Sequence, residues 1–355
     1  MPHHYTKLLI NPAVRMVGLA RLNDIAVSSL ICRNYLSPPL HPHGHFVSLH
    51  AGPGFSPKSN SRGADLILPF VWLRSPLQIK FGARTNVGCV RKNNEDSYKT
   101  DADLQLYVLS DGMGGEASGE VASGLAVETV IDHCRKAAEN PSLELVGERK
   151  AELSDATNRL VSALRLANQR IFETAAGNSD QKGMGATIVT VWLNERRVSL
   201  AHVGDSRAYL LRAGSFDQLT ADHSLVADLV RNGIMTPQQA EVSEQQSILT
   251  RALGTKQKVE VDADEQLLLE GDTILLCSDG LTRMVTDPEI ASTLETHLDP
   301  QKAANRLVEL ANENGGQDNV TVIVVHLAPE ARGLWATLRR WLGGSPSASS
   351  ASGGS

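Results

Sequence analysis

Two apolar runs far apart in the chain both end in Ser-Asp-Gly: "LYVLSDG" at residues 106–112 and "ILLCSDG" at 274–280. Each run has the length and residue types of a buried strand, and each is driven into a carboxylate at its end. A buried carboxylate without a partner is costly, so such an acid needs positive charge nearby. The pattern extends further. Asp205 follows "AHVG", Asp318 precedes "NVTVIVV", and Glu95-Asp96 stand together in "RKNNEDS". A single Asp-Gly is an ordinary turn. Four acids at the mouths of apolar strands instead demand a fold that gathers several strand ends at one edge.

The rest of the pattern is compatible with such a fold. Strand-like runs rich in Val, Ile and Leu cover 104–111, 186–193, 197–205, 207–214, 272–279 and 319–327. The stretch "RVSLAHVGDSRAYLLRAG" (197–214) reads as one strand, a tight Gly-Asp-Ser turn and a partner strand. Helical period appears over 119–139, with Val121, Leu125 and the Glu128/Thr129 turn on one spacing, and over 151–176 and 300–314. Strands, two long helices, many strands, then a helix and a final strand predict an α+β layered sandwich with a large antiparallel component.

The ends differ from this body. Residues 1–78 are basic and Pro/Gly-rich, with His41, His43 and His45 close together, and read as a poorly ordered extension. The tail, 329–355, holds the segment 332–342, whose Leu334, Trp335, Leu338, Trp341 and Leu342 share a helical face beside Arg332, Arg339 and Arg340. That segment suits docking onto the domain or peripheral contact with a membrane or partner. No apolar run reaches the length of a membrane span. A net charge of −6 gives no nucleic-acid footprint. The four cysteines, Cys32, Cys89, Cys134 and Cys277, form no C-x-x-C, which points to a reducing, cytoplasmic setting.

A cluster of carboxylates without soft ligands suits Mg²⁺ or Mn²⁺ rather than Zn²⁺. Gly112 and Gly280 would let the backbone approach such a centre. Two divalent ions sharing a carboxylate activate water for attack on phosphorus. Arg91, four residues before Glu95, supplies a guanidinium fork for the phosphate oxygens. A rival phosphatase chemistry is written in "CSDGLTR", where Cys277 and Arg283 have the C-x5-R spacing of thiol-dependent enzymes. Asp279 would repel the phosphate there, and Cys277 reads as a buried, inert strand cysteine.

Eight segments in order resemble the motifs of the PPM/PP2C metal-dependent protein serine/threonine phosphatases in their bacterial form. They are "GCVRKNNEDS" (88–97), "VLSDGMGGEASGEVAS" (108–123), "MGATIVT" (184–190), "AHVGDSRAYLL" (201–211), "LTADHSLV" (219–226), "ILTRALG" (248–254), "ILLCSDGLTRMV" (274–285) and "GGQDNVTVIVV" (315–325). The resemblance implies a four-layer αββα sandwich of two antiparallel sheets, with the catalytic domain at 79–328. By position, Asp111 resembles the carboxylate that bridges two Mn²⁺ or Mg²⁺ ions, and Gly112 a carbonyl ligand. Asp279 and Asp318 resemble ligands of one ion, and Glu95 and Asp96 hold the other side, mostly through waters. Asp205 with Asp279 resembles a weaker third site, Arg91 the phosphate-binding arginine, and 221–247 the flap beside the active site. Met113 stands where animal members carry histidine, and a thioether cannot donate a proton. The leaving oxygen is then protonated by a metal-bound water or by another group such as His223. The implied activity is dephosphorylation of proteins by a monomer that opposes a serine/threonine kinase. The alternative is a catalytically silent binding or sensor module of the same fold.

Overall fold

The computed structural model describes residues 77–114, 118–194 and 196–329. The histidine cluster and the 332–342 segment lie outside the described residues.

In chain order the elements are β1 (Leu77–Asn86), β2 (Asp96–Asp101), β3 (Leu106–Met113), α1 (Ser118–Glu139), α2 (Asp155–Gly177), β4 (Gly185–Ala186), β5 (Ile188–Asn194), β6 (Arg197–Val203), β7 (Arg207–Arg212) and β8 (Ser215–Gln218). Then follow α3 (Leu225–Arg231), α4 (Pro237–Glu241), β9 (Asp262–Leu267), β10 (Thr273–Cys277), α5 (Asp279–Thr282), α6 (Asp287–Thr296), α7 (Pro300–Glu313) and β11 (Val320–Pro329). One sheet runs β1-β11-β10-β7-β8 and the other β2-β3-β5-β6-β9, with the short β4 paired to β3. Every strand pair is antiparallel.

The strands read as continuous apolar runs because both of their faces are buried. Tyr107 and Leu109 join Val189, Val191, Ile274, Leu276, Ile323 and Val325 in the core between the sheets. The alternate residues Leu106 and Val108 face outward into a second core with α1 and α2. On the opposite side Leu275, Cys277, Val322 and Val324 pack with α5, α6 and α7. The result is the four-layer αββα sandwich. Each Val, Leu or Ile fully buried in these layers contributes roughly 1.5–3 kcal/mol of transfer free energy.

Two readings of the sequence are corrected here. The 197–214 stretch is not a hairpin: β6 belongs to one sheet and β7 to the other, so Gly204-Asp205-Ser206 crosses between layers. β6 pairs with β5 and β9, and β7 with β10 and β8, so Val198 and Leu200 of one strand meet Ala208 and Leu210 of the other across the core between the sheets. On α1 the buried stripe is Ala122, Ala126, Val130 and Cys134, while Val121 is 38% exposed. Small residues let α1 and α2 lie close together, and that spacing places Val121 on the outer side.

The N-terminus of α2 is tied to the sheet. Ser154 caps it by accepting from the Thr157 N–H at 3.2 Å. Glu265 of β9 accepts from the Ser154 N–H at 2.7 Å and from the Thr157 hydroxyl at 2.5 Å, and its carboxyl is held down at about 2 despite partial burial.

Candidate active site

The acids singled out from the sequence converge on one edge of the sandwich. β2 and β3 pair in a register that sets Asp96 opposite Asp111. β10 ends at Cys277 and α5 begins at Asp279, while β11 begins two residues after Asp318. Asp205 lies in the crossing that follows β6. These ends wall a cavity of about 370 Å³ lined by Arg91, Glu95, Asp111, Gly112, Asp205, Asp279 and Asp318, together with Met113, Thr187, Ser247, Leu249, Arg283 and Asn319. Ser247 brings the end of the segment predicted as a flap onto this wall, and Leu249 follows just beyond it. Asp96 is buried behind the wall, where its Oδ2 accepts from the Ser278 hydroxyl at 2.8 Å.

The acids are held by neutral groups, of which the sequence singled out only Ser278 of the second Ser-Asp-Gly. The Asp111 N–H donates to Thr187 Oγ1 at 3.0 Å, and the Asp111 carbonyl accepts from the Thr187 N–H at 2.8 Å. Asn319 fixes the loop before β2: its Oδ1 accepts from the Glu95 N–H at 2.8 Å, and its Nδ2 donates to the carbonyls of Val87 and Asn93, both at 2.9 Å. Ser278 joins the two sheets, donating to Asp96 while accepting from the Thr321 N–H at 3.0 Å.

The electrostatics are strained. Burial, then the charges of Asp96, Asp279, Asp205 and Asp318, push the Asp111 carboxyl well above the usual carboxylate range. Burial followed by Asp279 and Asp222 raises Asp205 to about 7, with Arg283 offsetting part of the rise. Burial raises Asp96 to about 7 against the hydrogen bonds of Thr321 and Ser278. Asp96 Oδ1 and Asp279 Oδ1 are buried with no hydrogen-bond partner among the described residues. Hard oxygen donors, mutual repulsion and two orphaned carboxylate oxygens fit a divalent cation. Perturbed acids in a cleft are also the signature of a functional site.

Arg91 lines the cavity with its side chain half exposed, and its Nη2 pairs with Asp318 Oδ2 at 2.8 Å. It can therefore present its fork to a phosphate that enters. Arg283 forms a second ion pair inside the cluster, to Asp279. Sequence reasoning assigned that arginine only to the thiol motif, although its i,i+4 spacing from Asp279 across one helical turn was a usable signal.

Two site readings change, those of Gly280 and His223, and Gly112 gains a second reason. A Cβ on Gly280 would lie 2.0 Å from the Asn319 carbonyl oxygen, so that glycine is required by contact between α5 and the start of β11. Gly112 does line the cavity, yet its Cβ would likewise meet the Gly119 carbonyl at 2.0 Å. His223 does not reach the cavity. It is buried, its Nδ1 accepts from the Gly204 N–H at 3.0 Å, and its Nε2 faces Asp262 Oδ2 at 3.1 Å. With His202 and Asp262 it forms the group of three whose donor atoms lie within 4.8 Å among the described residues. The Arg251 guanidinium, 2.5 Å from Asp262 Oδ1 and 3.0 Å from His223 Nε2, supplies a cation there already. Cys277 is fully buried, and burial pushes its thiol up to about 12, which removes it as a nucleophile at neutral pH.

The protein phosphatase 2C profile matches residues 90–313. The chain belongs to the protein phosphatase 2C family. It is 39% identical over 251 residues to the serine/threonine protein phosphatase PstP of Mycobacterium tuberculosis, a match covering 71% of this chain and 45% of PstP. It is 36% identical over 245 residues to the serine/threonine phosphatase Stp of Listeria welshimeri, covering 68% of this chain and 93% of Stp. The crystal structure of the PstP catalytic domain in complex with two manganese ions superposes with a TM-score of 0.61 at 37% identity, covering 71% of this chain and 99% of that one. No helix among the described residues is long and apolar enough to cross a membrane.

Proposed function

We propose that this 2C-family chain hydrolyses phosphoserine and phosphothreonine in proteins at the acidic cavity, using two divalent ions, Mn²⁺ or Mg²⁺. The observation that carries the reading is the convergence of Asp111, Asp279 and Asp318 with two partnerless buried carboxylate oxygens. Asp111, Asp279 and Asp318, the Gly112 carbonyl, and Glu95 and Asp96 on the far side would hold the ions. Asp205 with Asp279 would form the weaker end. Ions bound there supply a nucleophile from water at neutral pH and offset charge on the phosphoryl oxygens.

The chain's own groups do the rest. Thr187 and Asn319 fix the positions of Asp111 and the Glu95 loop through the hydrogen bonds described above. Arg91 exchanges part of its pairing with Asp318 for the substrate phosphate, giving two-point recognition at the cavity mouth. The cavity wall carries no histidine among the described residues. Protonation of the serine or threonine oxygen that leaves is therefore assigned to water within the cavity. The catalytic domain of the proposal spans 79–328, acts as a monomer in the cytoplasm, and opposes a serine/threonine kinase. A phosphoprotein substrate requires such a kinase.

The test is hydrolysis of a phosphothreonine peptide by the purified chain in EDTA and after Mn²⁺ is added back. Activity lost to the chelator and restored by Mn²⁺ supports the reading. Activity indifferent to EDTA refutes the metal centre, and no activity under either condition leaves the silent binding module of the same fold.

A further inference from the structure

The C-x5-R motif left one residue without a task once Cys277 proved buried. We propose that Arg283 is a built-in cation that competes with a divalent ion for the Asp279–Asp318 end of the acidic cluster, and so sets how tightly that end holds metal. The inference rests on the metal-centre reading above and deepens it.

The geometry is local and specific. Arg283 closes the single turn of α5, and its N–H donates to the Asp279 carbonyl at 2.9 Å. That turn lays the guanidinium back over the first residue of α5. Its Nη2 pairs with Asp279 Oδ2, and its Nη1 stands 3.7 Å from Asp318 Oδ2. Arg91 approaches the same Asp318 oxygen at 2.8 Å. Asp279 thus has one oxygen covered by a guanidinium and the other, Oδ1, buried with no hydrogen-bond partner among the described residues. A guanidinium and a dication cannot share one carboxylate oxygen without strong repulsion, because Coulomb energies at such separations in a partly buried site reach several kcal/mol.

The same side chain has somewhere to go. It is 28% exposed and lines the cavity, so it can swing toward solvent when an ion arrives. In the metal-free protein it instead offsets repulsion among the acids, and its charge is the one that opposes the rise at Asp205. One residue then has two opposite effects. It stabilises the empty cluster and weakens the hold on the ion that would use the covered oxygen.

The experiment is a pair of variants, Arg283→Gln and Arg283→Lys, each titrated with Mn²⁺ by calorimetry and melted in EDTA and in saturating Mn²⁺. Removal of the charge is expected to tighten the weakest Mn²⁺ ion about tenfold or more, since one unit charge leaves its immediate surroundings. Arg283→Gln is also expected to melt below wild type in EDTA and level with it in Mn²⁺, while Arg283→Lys stays near wild type in both. A plain structural ion pair would give a melting loss that persists in Mn²⁺, and that result overturns the inference. So does an Mn²⁺ affinity unchanged or weakened in Arg283→Gln while wild type binds normally. A wild-type chain that binds no Mn²⁺ overturns the metal centre as well, which separates the two failures.

Discussion

Asp205→Asn is expected to stabilise the metal-free protein while impairing it as an enzyme, and the size of the gain can be worked from the site. The Asp205 carboxyl is raised from an ordinary 3.8 to about 7, by burial first and then by Asp279 and Asp222. Between those two values the folded chain binds a proton that the unfolded chain has released. Stability of the metal-free fold therefore falls as pH rises through that window, and the full cost is present above about pH 7. About three decades in proton affinity correspond to about 4 kcal/mol at pH 8. At pH 5 the folded carboxyl is protonated and less than half of the cost remains. Asparagine carries no charge and escapes both. In EDTA at pH 8 the variant should melt about 8–16 °C above wild type, given about 2–4 °C per kcal/mol for a domain of this size. At pH 5 the gain should shrink by more than half. Scanning calorimetry in EDTA at the two pH values measures both numbers, and added Mn²⁺ should favour wild type by linkage. Equal melting at pH 8, or a gain that does not shrink at pH 5, would show that burial and the neighbouring acids do not raise Asp205 as described.

Other outcomes follow from single contacts. Asp111→Asn should reduce turnover of phosphothreonine peptide by about a thousandfold or more, the scale of losing a principal electrostatic group, and retention of a tenth of the rate would exclude Asp111 from the centre. Arg91→Ala should raise KM about 10- to 100-fold with a smaller change in kcat, because it removes phosphate binding made in the ground state; an unchanged KM argues against the role. Cys277→Ser should keep wild-type kcat under conditions where it is folded, at a stability cost of about 1–3 kcal/mol for a hydroxyl in the β10 core. Gly280→Ala should destabilise by about 1–3 kcal/mol through overpacking against Asn319. Gly124→Ala on α1 serves as its control: its added Cβ meets nothing closer than the Ser97 hydroxyl at 4.0 Å, and it should be neutral or stabilising in chemical denaturation.

Much of the fold and of the site could be read in the sequence. The strands β3, β5, β10 and β11 were legible because both faces are buried, which leaves uninterrupted Val, Ile and Leu. The acids Asp111, Asp205, Asp279 and Asp318 were legible for the converse reason, as charges attached to runs that must be buried. β2, "DSYKTD", and β9, "DADEQL", could not be read this way. They are polar edge strands whose structure comes from pairing with β3 and β6. The assignment of β6 and β7 to different sheets was also hidden, since a Gly-Asp-Ser connection looks the same whether it closes a hairpin or crosses between layers.

The sequence by itself determined that this chain is a layered α+β protein whose buried strands end in carboxylates, because hydrophobic period and the cost of buried charge are local properties of a residue string. Only the tertiary structure decided what those carboxylates meet. That Ser278 and Asn319 brace the loops, that His223 turns away toward Asp262, and that Arg283 covers Asp279 all depend on distances between segments as much as about 230 residues apart. Electrostatic energy depends on those distances and on burial, and neither quantity exists until the two sheets close on each other.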